Sequence, residues 1–436
     1  MRHEISRFDR IPHSAPSEGA PAHTTGHTAA HPSTRRWTEQ RWLLDNIIQA
    51  NGIDWDQPRS IYLSAPCGSE ANADFSAARL RIRKYADAAP AFEALAKRRQ
   101  ARAETAAAAG ETVTARDNHF IAAVHWGAAQ WPIDAADATN QRYNAAKRAN
   151  YRAYAEIADH QVEEVWIPLG GKKLPAWLHL PYGYAGGRVP VVIAVPGMDS
   201  FKECSVSLYG DRWLNRGIAV LAIDGPGQYE CPLLGIYVTP EAWAATGTAC
   251  VDWLLTRPEI DGDRIGLSGT SFGTFFSTLA GANEPRIKAI ALNAPCLEPG
   301  CHTIFEEASP TFKMRFMFMA NYTDEAAFDR FAKNLSWRGH AEKIKAPLLC
   351  LTGESDELSP LHFVEEMMSK IQGPRQLVIY QDSRHAIGTV PAATLGPFAP
   401  TLIADWMQAR LAGTPMTTSE RWYVDATGKI DRTYLS

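Results

Sequence analysis

The chain has 436 residues, of which 45% are hydrophobic and 21% charged, and a formal net charge of -4. This is enough to bury a large core, one large domain with a smaller appendage being the natural expectation, and so even a charge gives no electrostatic basis for binding nucleic acid or an anionic membrane. Seven scattered cysteines without a C-x-x-C pair argue against a zinc site or a disulfide framework, and the absence of an apolar run near ~18 residues or of a leader h-region sets the expectation of a cytoplasmic protein.

Residues 1–36 are rich in Pro, Ser, Thr, Ala and His (His3, His13, His23, His27, His31) without periodicity, and read as a flexible tail. From Trp37 to His160 the spacing is helical. Trp37, Trp42, Leu43, Ile47 and Ile48 make one apolar face. Phe75 to Arg102 makes a second segment with a break expected at Ala89-Pro90, Phe120 to Trp131 a third, and Tyr143 to Ala158 a fourth. Residues 37–160 are therefore expected to form an all-helical N-terminal domain covering the site. His119 and Trp126 fall off the third stripe, either lining a ligand cavity or, in the alternative, with Trp126 packed against a neighbouring helix and His119 solvated.

At Val162 the period changes to alternation. Val162 to Pro168, the pair Gly170-Gly171, and Leu174 to Pro181 signal a β-hairpin. Apolar runs follow at 189–195, 218–223, 265–267, 287–292, 348–351 and 377–380. Helices are expected between and after them at 205–216, 240–256, 272–283, 360–371 and 394–411. Short runs that are apolar throughout and alternate with helices mean a mostly parallel sheet covered on both faces, the architecture of an α/β-hydrolase fold over residues 161–412. Residues 296–345 exceed what a βα connection needs and read as a helical insertion. Its Met/Phe cluster (Phe312, Met314, Phe316, Met317, Phe318, Met319) either contacts substrate or packs. Residues 413–436 read as a tail with a small hairpin.

Within this pattern Gly269-Thr270-Ser271-Phe272-Gly273 lies between an apolar run and a helical segment, the strand-turn-helix setting of a nucleophile elbow. The turn is tight enough that side chains at 269 and 273 would collide. It presents Ser271 Oγ above the sheet and the Phe272 N–H to an oxyanion. A serine nucleophile needs a base and a carboxylate that orients it, in this fold on loops after later strands. Asp356 follows the 348–351 run, with Glu354 and Glu357 as rivals, and His385 follows the 377–380 run, with His340 and His362 as competitors. The second oxyanion donor belongs to the loop after the third strand, where Gly197 permits a close turn and Met198 offers its N–H. Asp199 has two readings. Either it supports the entry of a helix with a Ser200-x-x-Glu203 capping box, or it faces substrate across from Ser271. Asp224-Gly-Pro-Gly-Gln228 is expected to shape the pocket floor.

Four runs then carry a resemblance: Ile167-Pro with Leu178-His-Leu-Pro181, Pro196-Gly-Met-Asp-Ser-Phe-Lys-Glu203, Asp224-Gly-Pro-Gly-Gln-Tyr-Glu230, and the elbow. With the Ser-Asp-His order, they make the chain resemble a branch of α/β-hydrolases with an N-terminal helical domain. That branch holds dihydroxypseudooxynicotine hydrolase, the fungal polyketide-shortening hydrolases and the fermentation-respiration switch protein. Its loop after the third strand usually reads G-G-x-[DE]-S-x-K-E, so the resemblance implies a substrate-facing role for Asp199; Pro196 replaces the first glycine here. It also implies cleavage of a C–C bond beside a ketone in an aromatic or polyketide-like substrate, or esterase or amidase chemistry with the same residues, and a homodimer without cofactor or metal. A binding protein with a vestigial site is the remaining alternative.

Overall fold

Residues 35–435 are described by the computed structural model, apart from 207–210; the side chains at 35–39, 57 and 58 are also outside the description. The expected tail at 1–36 thus lies, all but its last two residues, outside the described residues, as does the Trp37 side chain.

Among the described residues six α-helices precede the first strand: α1 (Arg35–Asn51), α2 (Gln57–Ser64), α3 (Asn72–Arg81), α4 (Ala88–Ala108), α5 (Thr112–Gln130) and α6 (Ala138–Glu156). The apolar face expected on α1 is displaced. Leu44 and Ile48, four residues apart on one stripe, are buried, whereas Trp42, Leu43 and Ile47 face outward. The break expected at Ala89-Pro90 falls instead at Ile82–Lys84, where the Asp87 carboxylate accepts the Arg83 and Lys84 N–H groups at 3.0 and 3.1 Å. Pro90 sits in the first turn of α4, where a missing N–H costs nothing. α5 packs between α4 and α6 and is buried along most of its length, which its run of alanines permits. At Gly127 a Cβ would stand 2.2 Å from the Phe201 ring, so this helix and the loop after the third strand touch at a position no side chain fits. Trp126 is buried against Tyr143 of α6, ring centroids 5.5 Å apart, and His119 Nδ1 meets Asn150 Oδ1 at 3.1 Å. Neither lines the main cavity.

The hairpin forms as β1 (Val162–Leu169) and β2 (Lys172–His179), turning on Gly170 and Gly171, both with positive φ. Then follow β3 (Val189–Val195), β4 (Ala219–Ile223), β5 (Ile260–Thr270), β6 (Ala289–Asn293), β7 (Leu348–Gly353), β8 (Arg375–Tyr380), β9 (Glu420–Val424) and β10 (Ile430–Tyr434). Their spatial order is β1-β2-β4-β3-β5-β6-β7-β8-β9-β10. Pairing is parallel from β4 through β9 and antiparallel at β1/β2, β2/β4 and β9/β10. The C-terminal hairpin is therefore the far edge of the sheet, β9 lying parallel to β8.

The connecting helices are α7 (Lys202–Ser205), α8 (Glu230–Leu233), α9 (Pro240–Leu254), α10 (Phe272–Asn283), α11 (Pro310–Met319), α12 (Glu325–Ala332), α13 (Leu361–Lys370), α14 (Pro391–Leu395) and α15 (Ala399–Leu411). The helix expected over 205–216 is replaced by the four-residue α7 and a 3-10 turn at Leu214–Arg216, with 207–210 outside the description. The one expected over 394–411 splits into α14 and α15, because Pro397 disfavours helical backbone at Gly396. In the insertion, Phe316, Met317 and Met319 are buried, Phe316 against Phe272 and Phe305. Of the six-member Met/Phe cluster, Phe312 lines the cavity.

The helical region and the sheet share a core: Trp177, Phe201, Cys204 and Tyr229 pack with Phe120, Trp126, Tyr143 and Tyr151. All seven cysteines are buried and unpaired with one another. Among the described residues no helix is long and apolar enough to cross a membrane.

Candidate active site

β5 runs to Thr270, α10 starts at Phe272, and Ser271 between them adopts φ 54° and ψ −128°. Left-handed backbone at a non-glycine residue is strained and persists where the surroundings enforce it. Here the Ser271 N–H donates to Asn293 O at 2.9 Å, and the Thr274 hydroxyl donates to Ser271 O at 2.7 Å. A Cβ at Gly269 would lie 2.4 Å from Gly273 O, and one at Gly273 2.5 Å from both Val195 O and Pro196 O. Both glycines are thus required by contact, as the turn geometry implied.

The loops after β7 and β8 bring two further groups to Ser271. His385 Nε2 lies 2.8 Å from Ser271 Oγ, and His385 Nδ1 lies 2.9 Å from Asp356 Oδ2 and 3.2 Å from Oδ1. Asp356 Oδ1 also accepts the Leu358 and Ser359 N–H groups at 2.9 and 3.2 Å, which fixes its plane. His385 is buried, and burial alone lowers its pKa; the charge of Asp356, the hydrogen bond to it and the charge of Glu357 outweigh that, so the net shift is upward from 6.5. The rival residues have other partners. Glu357 accepts the His385 main-chain N–H at 3.0 Å, Glu354 pairs with the Asp382 N–H and the Tyr423 hydroxyl, His340 faces Asn283, and the His362 ring lies tilted against Phe363. Cys296 Sγ, fully buried, stands 3.8 Å from Ser271 Oγ.

Phe272 opens α10, so its N–H is one of the donors a helix start leaves unpaired. Met198 lies on the loop after β3, and a Cβ at Gly197 would stand 3.0 Å from Ser271 Cβ. Gln228 Nε2 donates to Pro196 O at 2.6 Å and to Gly197 O at 3.2 Å. Peptide bonds here are trans, so holding the Gly197 carbonyl on the Gln228 side turns the Met198 N–H to the opposite side. Among the described residues that N–H has no hydrogen-bond partner. The Asp224–Gln228 turn therefore stands behind the loop after β3 and, contrary to expectation, lines none of the cavity.

Both loops are anchored by buried charge. Lys202 Nζ reaches Asp224 at 3.0 Å, Glu230 at 2.7 Å and Glu203 at 2.9 Å, while Lys147 of α6 stands 3.4 Å from Glu203. Burial opposes ionisation of Glu203, but the two lysines prevail and lower its pKa to about 2. Burial, with the neighbouring Glu203 and Glu230 charges, moves Asp224 upward against the pull of Lys202. The capping box expected at Ser200-x-x-Glu203 does not form, because Glu203 turns into this cluster; Phe201 precedes α7, and Ser200 Oγ lies 3.3 Å from Cys204 Sγ.

Asp199 lines the cavity, and its Oδ2 accepts from Arg59 Nη2 at 2.8 Å. Arg59 was not singled out from the sequence. Asp56-Gln-Pro58 marks a helix start, and Asp56 does cap α2, but nothing local shows that the arginine crosses to a residue 140 positions away. The cavity measures about 540 Å³ and is walled by Trp55 and Tyr62 from the helical region, by Phe312 from the insertion, and by Trp213 and Ile403 from the sheet side. It is largely apolar, with Ser271 and His385 exposed to it.

Comparison with known proteins agrees with the resemblance read from the sequence. A family model described as "FrsA-like: Esterase FrsA-like" matches residues 91–369. The chain is 33% identical over 220 residues to an α/β hydrolase, ucsC, of Acremonium sp, covering 45% of this chain and 44% of that one. It is 28% identical over 280 residues to the 2,6-dihydropseudooxynicotine hydrolase of Paenarthrobacter nicotinovorans, covering 62% and 71%. The match to ucsC spans less than half of that relative's length. The crystal structure of 2,6-dihydroxy-pseudo-oxynicotine hydrolase superposes with a TM-score of 0.70 at 24% identity, over 82% of this chain and 97% of that one, and establishes the α/β-hydrolase fold with its helical N-terminal region.

Proposed function

From the premise that the chain belongs to the FrsA-like esterase family, we propose that it is a serine hydrolase that attacks a substrate carbonyl through Ser271, His385 and Asp356. The observation that carries this reading is the continuous hydrogen-bonded chain from Asp356 through both ring nitrogens of His385 to Ser271 Oγ. His385 Nε2 takes the hydroxyl proton as Oγ bonds to the carbonyl carbon, and the Phe272 and Met198 N–H groups hold the oxygen as it becomes an anion. Collapse breaks the bond to the leaving group, which receives the proton from His385. Water, activated by the same imidazole, then hydrolyses the acyl-serine and returns the enzyme.

The leaving group is proposed to be carbon beside a ketone, in an aromatic or polyketide-like compound. The large apolar cavity and the resemblance to a branch that cleaves such bonds support this. A second reading, carboxylesterase or amidase chemistry with the same residues, is favoured by the family's own description as esterases. A fluorophosphonate that labels the wild type but not Ser271→Ala tests the nucleophile, and no labelling of the wild type would reject it along with the serine-hydrolase mechanism. Aryl β-diketones against aryl esters then decide the bond. Brisk ester turnover with inert diketones removes the C–C reading.

A further inference from the structure

The chemistry above leaves Arg59 without a role, although the side chain reaches the cavity and is 9% exposed. Its guanidinium is held on three sides. Nε donates to Asp56 Oδ2 at 2.8 Å, Nη2 donates to Asp199 Oδ2 at 2.8 Å, and Cζ lies 3.9 Å from the centroid of the Trp131 ring. Asp56 is itself fixed, its Oδ1 accepting the Arg59 main-chain N–H at 3.2 Å at the start of α2. A planar fork stacked on an indole and bridging two carboxylates has one geometry available to it. At the other end, the Asp199 carbonyl oxygen accepts the Tyr229 hydroxyl at 3.0 Å, so main chain and side chain are both restrained. Asp199 Oδ1 is left without a hydrogen-bond partner among the described residues, on the wall that also carries Ser271 and His385.

We propose that Arg59 is a positioning residue that fixes Asp199 as a charged acceptor, so that the site selects carbonyl compounds bearing a hydroxyl or ammonium donor within reach of Asp199 Oδ1. The inference rests on the reading of Ser271 as the nucleophile. Arg59 occupies Asp199 Oδ2, so Oδ1 is the atom left to meet a donor on the substrate. A half-buried acceptor also discriminates more sharply than an apolar wall does, because an analogue without the donor leaves it unpaired. The groups facing the pair are Asp56 at the start of α2, Tyr85 before α4, Asp134 after α5, Tyr229 before α8 and Arg315 on α11. Burial pushes Asp134 up to about 6 despite Arg315 at 3.3 Å.

The test is competition against fluorophosphonate labelling of Ser271, which requires no turnover. The competitors are meta- and para-substituted acetophenones carrying a hydroxymethyl, an aminomethyl or an ethyl group. In the wild type the hydroxymethyl or aminomethyl ketone should halve labelling at about a tenfold lower concentration than its ethyl counterpart. Asp199→Ala should abolish this preference and leave the ethyl ketone unaffected. Arg59→Met should lose it, because nothing then holds the Asp199 carboxylate in place beside the cavity. Arg59→Lys should keep it. Arg59→Gln, which retains hydrogen bonding without charge, should behave as Arg59→Met and covers the case in which that variant does not fold. A labelled wild type without preference, a preference in Arg59→Met and Arg59→Gln that is as strong as in the wild type, or equal weakening of all three ketones overturns the inference. An unlabelled wild type overturns the reading of Ser271 instead, and the inference falls with it.

Discussion

Gln228 donates one amide nitrogen to the carbonyl oxygens of two consecutive residues, Pro196 and Gly197, while its own Oε1 accepts the Gly225 N–H at 2.9 Å. The side chain is fully buried, so the loops after β3 and β4 are tied where water cannot compete. Since this tie sets the direction of the Met198 N–H, Gln228→Leu should let the Gly197–Met198 peptide turn. The expected result is a fall in kcat of about tenfold to a hundredfold, toward the loss seen on deleting an oxyanion donor, with KM little changed. Steady-state kinetics on an aryl ester would show it, and an unaltered kcat would remove Gln228 from the account.

His385 must be neutral to accept the Ser271 proton, and its pKa is raised by Asp356 and Glu357 beyond what burial takes away. Activity should therefore be lost as pH falls, through an acid limb lying above 6.5. In Asp356→Asn burial prevails, and the limb should move down. The same change leaves the wrong tautomer facing Ser271 and should lower kcat by about 10⁴-fold. A pH profile of kcat/KM with an unmoved limb in the variant would separate His385 from Asp356.

Lys202 contacts three buried carboxylates at once. Lys202→Met should destabilise the fold by about 3–5 kcal/mol, because it strands charge in the core. The stranded acids would have folded pKa values above their unfolded ones, so the folded state binds more protons and the deficit should shrink as pH falls. Denaturant unfolding at neutral and acid pH measures both. A deficit that does not change with pH would mean that packing, not charge, is what the lysine supplies.

A methyl group at Gly273 would meet two main-chain oxygens at 2.5 Å, and main chain cannot swing aside as a side chain can. Gly273→Ala should cost about 1–3 kcal/mol and displace Ser271, with loss of fluorophosphonate labelling in protein that still unfolds cooperatively. Labelling at the wild-type rate would contradict the packing at the elbow.

How much of this was legible in the sequence follows from how far apart the deciding residues are. The elbow is local: two glycines, a serine between them, a strand before and a helix after. Asp356 and His385 were readable for a related reason, since each directly follows an apolar run, and a parallel sheet brings the ends of its strands to one rim. The break before α4 was misplaced because Pro90 is tolerated in a first turn, which composition does not reveal. α1 showed more apolar residues than one stripe can bury, and packing chose Leu44 and Ile48 among them.

What the chain determined by itself is the set of elements and the strand ends that present Ser271, Asp356 and His385, because backbone periodicity and turn chemistry act over a few residues. Tertiary structure alone decided that Arg59 meets Asp199, that Lys147 meets Glu203 from another helix, that Gln228 grips the loop after β3, and that the last hairpin joins the sheet beside β8. Those pairings depend on how finished elements stack, and no short stretch of sequence encodes which buried charge another will face.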